Sequence, residues 1–166
     1  VLNMFELTQY NIIPIISFIL YTFILIIILT SNRTKLARSF SLYVVAMMFW
    51  SLGSFLMKSN VPPSPLFWNK YVLQLGYLSV PVLLLRFSYV LTDEYDRKPI
   101  VKVGYFISLV MIVLAFSGQV ISDVTYDGLE LHYDVEWGGY LFAIIGSVYS
   151  ILAIGIMVKK TLNQEV

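Results

Sequence analysis

Five long apolar stretches, residues 12–30, 40–57, 67–91, 103–120 and 139–158, take up most of this chain, and nearly every charge lies between them. Each approaches or exceeds the roughly 20 residues that an α-helix needs to cross about 30 Å of hydrocarbon. Lipid offers no water to a bare N–H or C=O, so stretches of this kind fold as helices that close their own backbone bonds. The expected fold is all-α: a polytopic membrane bundle of five transmembrane helices forming one domain over residues 1–166. Composition agrees. The chain is 58% hydrophobic and 13% charged, whereas soluble domains carry about 25% charged residues.

The loops orient the bundle. Arg33, Lys35 and Arg38 follow the first span, Arg97, Lys98 and Lys102 follow the third, and Lys159 and Lys160 follow the fifth, eight basic residues on one side against Lys58 and Lys70 on the other. Short loops rich in Lys and Arg stay in the cytoplasm, so the N-terminus is expected outside and the C-terminus inside. The first apolar run carries no preceding positive charge and exceeds a signal-peptide core, so it reads as an anchor that stays in the membrane. On the outer side, Val61-Pro62-Pro63-Ser64-Pro65 makes a stiff connector. Between the last two spans, residues 121–126 and 129–133 flank Asp127-Gly128, a two-residue hairpin signal. A short extracytoplasmic β-hairpin is expected there.

Several chemistries lack their parts. The chain has no cysteine and one histidine, His132, so thiol catalysis, disulfides and a bis-histidine haem are excluded. A net charge of +1 gives no nucleic-acid surface. No span holds a lysine at mid-depth or a pair of carboxylates, no glycine-rich phosphate loop is present, and no histidine lies near the intramembrane serines. No catalytic residue, cofactor or metal is expected. Glu130, His132 and Asp134 alternate on one strand face, a candidate cation or pH-sensing face that reads better as solvated surface.

Three constellations stand out. The third span is the most polar, with Gln74, Tyr77, Pro81 and Ser88 at helical spacing, and Pro81 should kink it and free the carbonyl of Tyr77. With the outer-half aromatics this gives ligand-pocket candidates Trp50, Trp68, Tyr71, Gln74, Tyr77 and Trp137; an aromatic interfacial belt and interhelical hydrogen bonds are the plainer readings of the same residues. Pro81 and Arg86 are the hinge and coupling candidates, Arg86 either snorkelling to the interface or contacting Asp93 or Glu94. Gly139, Ala143, Ser147 and Gly155 line one face of the fifth span, a helix-packing face within the bundle or between protomers.

Certain of these marks resemble a known family. They are Arg33, Lys35 and Arg38 before the second span, Trp50 within it and Trp68 opening the third. Gly76, Pro81, Phe87-Ser88-Tyr89, Thr92 and Arg97 follow, then Asp127-Gly128 and Trp137. From about Ser31 to Lys160 the chain resembles the N-terminal seven-helix membrane sensor region of bacterial histidine kinases, a module also found ahead of diguanylate cyclases. It departs from that family in having five spans. The resemblance implies an extracytoplasmic or intramembrane signal and a dimeric assembly; the chain is then either a fragment or a free-standing five-helix relative, and any catalytic output domain would lie beyond Val166.

The leading expectation is thus a sensory input module of a bacterial two-component system, in the inner membrane, relaying a signal to a cytoplasmic output. It is expected to be no enzyme itself. Its partners would be the bilayer, a second copy or another membrane protein, and an unknown small ligand. The alternatives are a non-catalytic assembly subunit of a membrane complex and a transporter or channel component. A transporter usually shows broken helices in a repeated half; here only the third span is interrupted by proline at mid-depth, Pro14 standing near the start of the first, and no second half mirrors it.

Overall fold

The computed structural model describes residues 9–31, 34–93, 99–126 and 131–164. Among them, five helical spans are long and apolar enough to cross a membrane. The first is α1 (Gln9–Thr30) and the second α2 (Lys35–Lys58). The third, Pro65–Leu91, is built in pieces: α3 (Pro65–Trp68), a π-helical turn (Asn69–Leu73), α4 (Gln74–Tyr77) and α5 (Val80–Leu91). The fourth is α6 (Pro99–Phe116) and the fifth α7 (Trp137–Gln164). Strands β1 (Ile121–Tyr126) and β2 (Leu131–Val135) separate the last two.

The helix ends follow local chemistry. Thr34 caps α2, its hydroxyl accepting from Ala37 N–H at 3.0 Å, so the basic residues Lys35 and Arg38 sit in the first turns of the helix and not in a loop before it. Ser64 caps α3 in the same way, with Pro65 at the first helical position where its missing N–H costs nothing. The fourth span ends at Phe116, short of the expected Val120, because Gly118 takes φ +83° and turns the chain towards β1.

The two strands pair antiparallel, with Tyr126 opposite Leu131 and Ile121 opposite Val135, and a bulge at Ser122. The second strand is described from Leu131; residues 129 and 130, where its start is expected, lie outside the described residues. The expected turn at Asp127-Gly128 lies outside the described residues.

The interruption of the third span is broader than one proline kink. Leu78 and Ser79 leave the helix, and Pro81 lies in the first turn of α5. Proline has no N–H to return to the carbonyl of Tyr77. The next carbonyl, that of Leu78, accepts from Ser108 Oγ on α6 at 3.2 Å, so a neighbouring helix satisfies backbone at the break, as lipid requires.

Packing centres on the third span. Leu85, Val82, Ala46, Val101, Tyr149 and Ala153 form one buried cluster; Leu78, Met111, Ala115, Val120 and Phe142 form a second. Helix α2 meets the third span almost backbone to backbone. A Cβ on Gly53 would lie 2.5 Å from Leu73 N, and one on Gly76 would collide with the carbonyl of Ala46 and with Trp50 N. Small residues at such crossings drive association in lipid, where hydrophobicity cannot. Helix α1 packs on α2 and turns Ile13, Phe23 and Ile27 outward. Ile144 and Ile151 on α7 and Phe106 on α6 are also exposed, the pattern of a protein whose outer solvent is hydrocarbon.

Candidate functional site

The structure draws a polar chain into the bundle where α2, the third span and β2 meet. Gln74 and Asn69 are buried at 2% and 1% exposure. Gln74 Nε2 donates to Asn69 Oδ1 at 3.2 Å, and Asn69 Nδ2 donates to Met57 Sδ at 3.6 Å. Tyr133 of β2 directs its O–H at the same sulfur, a weak contact of 4.0 Å. The partly buried ring pushes the Tyr133 phenol above its ordinary value, because burial disfavours the phenolate.

The thioether orients every amide in this chain. Sulfur only accepts, so Asn69 must turn its NH2 towards it. That leaves the Asn69 oxygen for Gln74, which must present its own NH2. Gln74 Oε1 is then left over. It is buried and has no hydrogen-bond partner among the described residues. A sealed, unpaired acceptor costs about 1–3 kcal/mol.

The π-helical turn makes this pairing possible. Residues five apart lie about 140° apart around an α-helix and do not meet. In a π-turn the backbone bonds run from i to i+5, and Gln74 N–H does bond the carbonyl of Asn69. Spacing rules for an α-helix therefore point past Asn69, and neither Met57 nor Tyr133 carries a sequence signal that would have marked it.

Of the expected pocket residues, Gln74 enters this chain and two others meet one another. Trp50 packs on Tyr77 with ring centroids 5.4 Å apart, and Tyr77 packs on Phe142 of α7 at 4.9 Å. Trp68 Nε1 donates to the carbonyl of Val61 at 2.7 Å and pins the proline-rich connector. Tyr71 is exposed and stacks between Phe67 and Phe116. Trp137 is exposed at the start of α7, where Nε1 donates to Gln119 Oε1 at 2.7 Å. A narrow void of about 10 Å³, room for about one water, lies between Pro81, Gly104, Ser108, Gly146 and Tyr149, and none of the six candidates lines it.

Among the remaining candidates, Ser88 returns its hydroxyl to the carbonyl of Leu84, one turn back. Arg86 Nη1 donates to Tyr105 Oη on α6 at 2.9 Å. Asp93 instead pairs with Lys160 of α7 at 3.6 Å, and Lys160 also donates to the carbonyl of Leu91; Glu94 lies outside the described residues. On β2, His132 stands opposite Thr125, and among the described residues no three His, Asp or Glu side chains converge. The small-residue face of α7 divides. Gly139 packs against Val120 and Val135, whereas Ala143, Ser147 and Gly155 are exposed, with open space where a Gly155 Cβ would stand. The inward face runs instead through Phe142, Gly146, Tyr149 and Ala153.

Comparison with curated proteins and comparison with solved structures each found no match. The family model for the N-terminal 7TM region of histidine kinase matches residues 13–163. That match takes in all but the first turn of α1 and runs into the last turn of α7. The chain, a helical membrane bundle, belongs to the family of N-terminal 7TM regions of histidine kinases.

Proposed function

We propose that this chain is the membrane-embedded sensory input module of a bacterial signalling protein, detecting an extracytoplasmic or intramembrane signal and relaying it to a cytoplasmic output. One observation carries the reading: the polar chain from Tyr133 on the hairpin through Met57 and Asn69 to buried Gln74 joins the hairpin to the interrupted helix. The charge of the loops supports the orientation. Lys35, Arg38, Lys102, Lys159 and Lys160 fall at one set of helix ends, the cytoplasmic side by the positive-inside rule. The hairpin then caps the outer face. A stimulus there that moved Tyr133 would disturb the Met57 contact and with it the amides at the π-turn. A switch needs such an element with two packings of similar energy, and a π-turn beside an unpaired acceptor is poised for one.

Signalling output in cells tests this. Gln74→Leu and Trp137→Ala are expected to change the response while membrane insertion stays intact. Wild-type responses from both variants would remove the proposed input site.

A second reading, a non-catalytic assembly role, has its own support. Ala143, Ser147 and Gly155 leave an open face on α7, and small residues of this kind let another helix, from a second copy or a membrane partner, approach closely. Ser147→Leu is expected to weaken that association. If co-purification and oligomeric state are unchanged, the face is not an interface.

A further inference from the structure

At the basic end of the bundle, Lys102 and Tyr105 on one flank of α6 donate to no acceptor among the described residues. Arg86 lies five residues before the end of α5, and Tyr105 lies six residues after the start of α6. At 1.5 Å per residue both stand about 8–9 Å in from their helix ends, and the guanidinium meets the phenol oxygen at 2.9 Å. That oxygen is thereby occupied as an acceptor. The phenol proton has no acceptor among the described residues. Lys102, three residues earlier on the same flank, is exposed, and its ammonium also has no partner among the described residues. The contrast with Lys160, held by Asp93 and the carbonyl of Leu91, shows that the basic residues at this end are not equivalent.

Below these donors the flank turns apolar. Phe106, Leu109 and Val113 continue the stripe of Lys102 and Tyr105 at helical spacing, each at least 60% exposed. The sequence of chemistries down the flank is therefore two donors beside a permanent cation, then hydrocarbon. A phospholipid presents the complementary order, an anionic oxygen group above acyl chains. We propose that Lys102 and Tyr105, the latter positioned by Arg86, dock the phosphate of an anionic phospholipid, with an acyl chain along Phe106, Leu109 and Val113. Lys102 supplies charge, and Tyr105, held by Arg86, donates its proton to a phosphate oxygen. The inference stands apart from the sensory reading, since it uses neither the hairpin nor the polar chain.

Native mass spectrometry of the detergent-purified protein, with phosphatidylglycerol or phosphatidylcholine added, tests it. The wild type is expected to retain one phosphatidylglycerol about tenfold more than phosphatidylcholine, the preference that one or two Lys or Arg contacts supply near a bilayer surface. Lys102→Gln combined with Tyr105→Phe is expected to abolish that preference, whereas Lys159→Gln, at the exposed basic end of α7, keeps it. Both altered side chains face outward, and unchanged helical circular dichroism confirms that the variant folds. Equal retention of the two lipids, or an equal loss in Lys159→Gln, would overturn the proposal in favour of diffuse charge. Displacement of phosphatidylglycerol by millimolar inorganic phosphate would overturn it in favour of a free-anion site.

Discussion

Asn69 and Gln74 stand five residues apart in one transmembrane span, yet their side-chain amides are hydrogen-bonded at 3.2 Å, because a π-helical turn lies between them. The turn brings two buried amides together inside hydrocarbon and leaves one oxygen, Gln74 Oε1, without a partner. The site is thus polar, enclosed and incompletely satisfied. Such a combination is costly in a membrane.

The amide pair should show strong coupling. Gln74→Met strips the Asn69 oxygen of its donor, and Asn69→Leu leaves the Gln74 NH2 bare. Each is expected to cost about 1–3 kcal/mol. The double variant removes both groups and should recover much of that loss. Thermal unfolding of the four proteins in nanodiscs, read as a double-mutant cycle, measures the coupling. Additive losses would show that the two amides do not act as a unit.

The glycines at the α2 crossing should be intolerant. Gly76→Ala places a methyl group on the Ala46 carbonyl and the Trp50 nitrogen, which cannot yield without separating the helices. Overpacking of this kind costs about 1–3 kcal/mol or more. Gly155→Ala meets open space and should fall within about 0.5 kcal/mol of wild type. Melting temperatures of the two variants give the comparison.

Ser108 should matter through the backbone it serves. Ser108→Ala leaves the Leu78 carbonyl without its donor beside the Pro81 break. A loss of about 1–3 kcal/mol is expected. Faster hydrogen exchange over residues 78–83 than elsewhere in the third span would localise the effect to the break.

Alkaline pH should loosen the hairpin. The Tyr133 phenol is raised by burial, so the folded state holds its proton at a pH where the unfolded chain has lost it. The unfolded chain then binds fewer protons, and stability falls as pH rises through about 10 and on to the folded value. Below about 10 the contribution is fully present. Tyr133→Phe should flatten this part of the stability profile. An unchanged profile in that variant would place the alkaline loss elsewhere.

The five spans, the basic end and the β-forming segment were legible in the residues alone. Lipid allows a long apolar stretch one backbone solution, and period-two residues beside a turn allow few others, so local sequence suffices. The helix starts were not legible: Thr34 and Ser64 cap helices that begin at Lys35 and Pro65, ahead of the apolar stretches from 40 and 67. Tertiary structure decided the rest. Arg86 turns to Tyr105, Met57 sets the orientation of Asn69 and Gln74, and Gly53 and Gly76 fix how near α2 comes. Those outcomes depend on the rotation and register of one helix against another. An apolar run holds no record of either, because every face of it is equally at home in lipid until a neighbouring helix arrives.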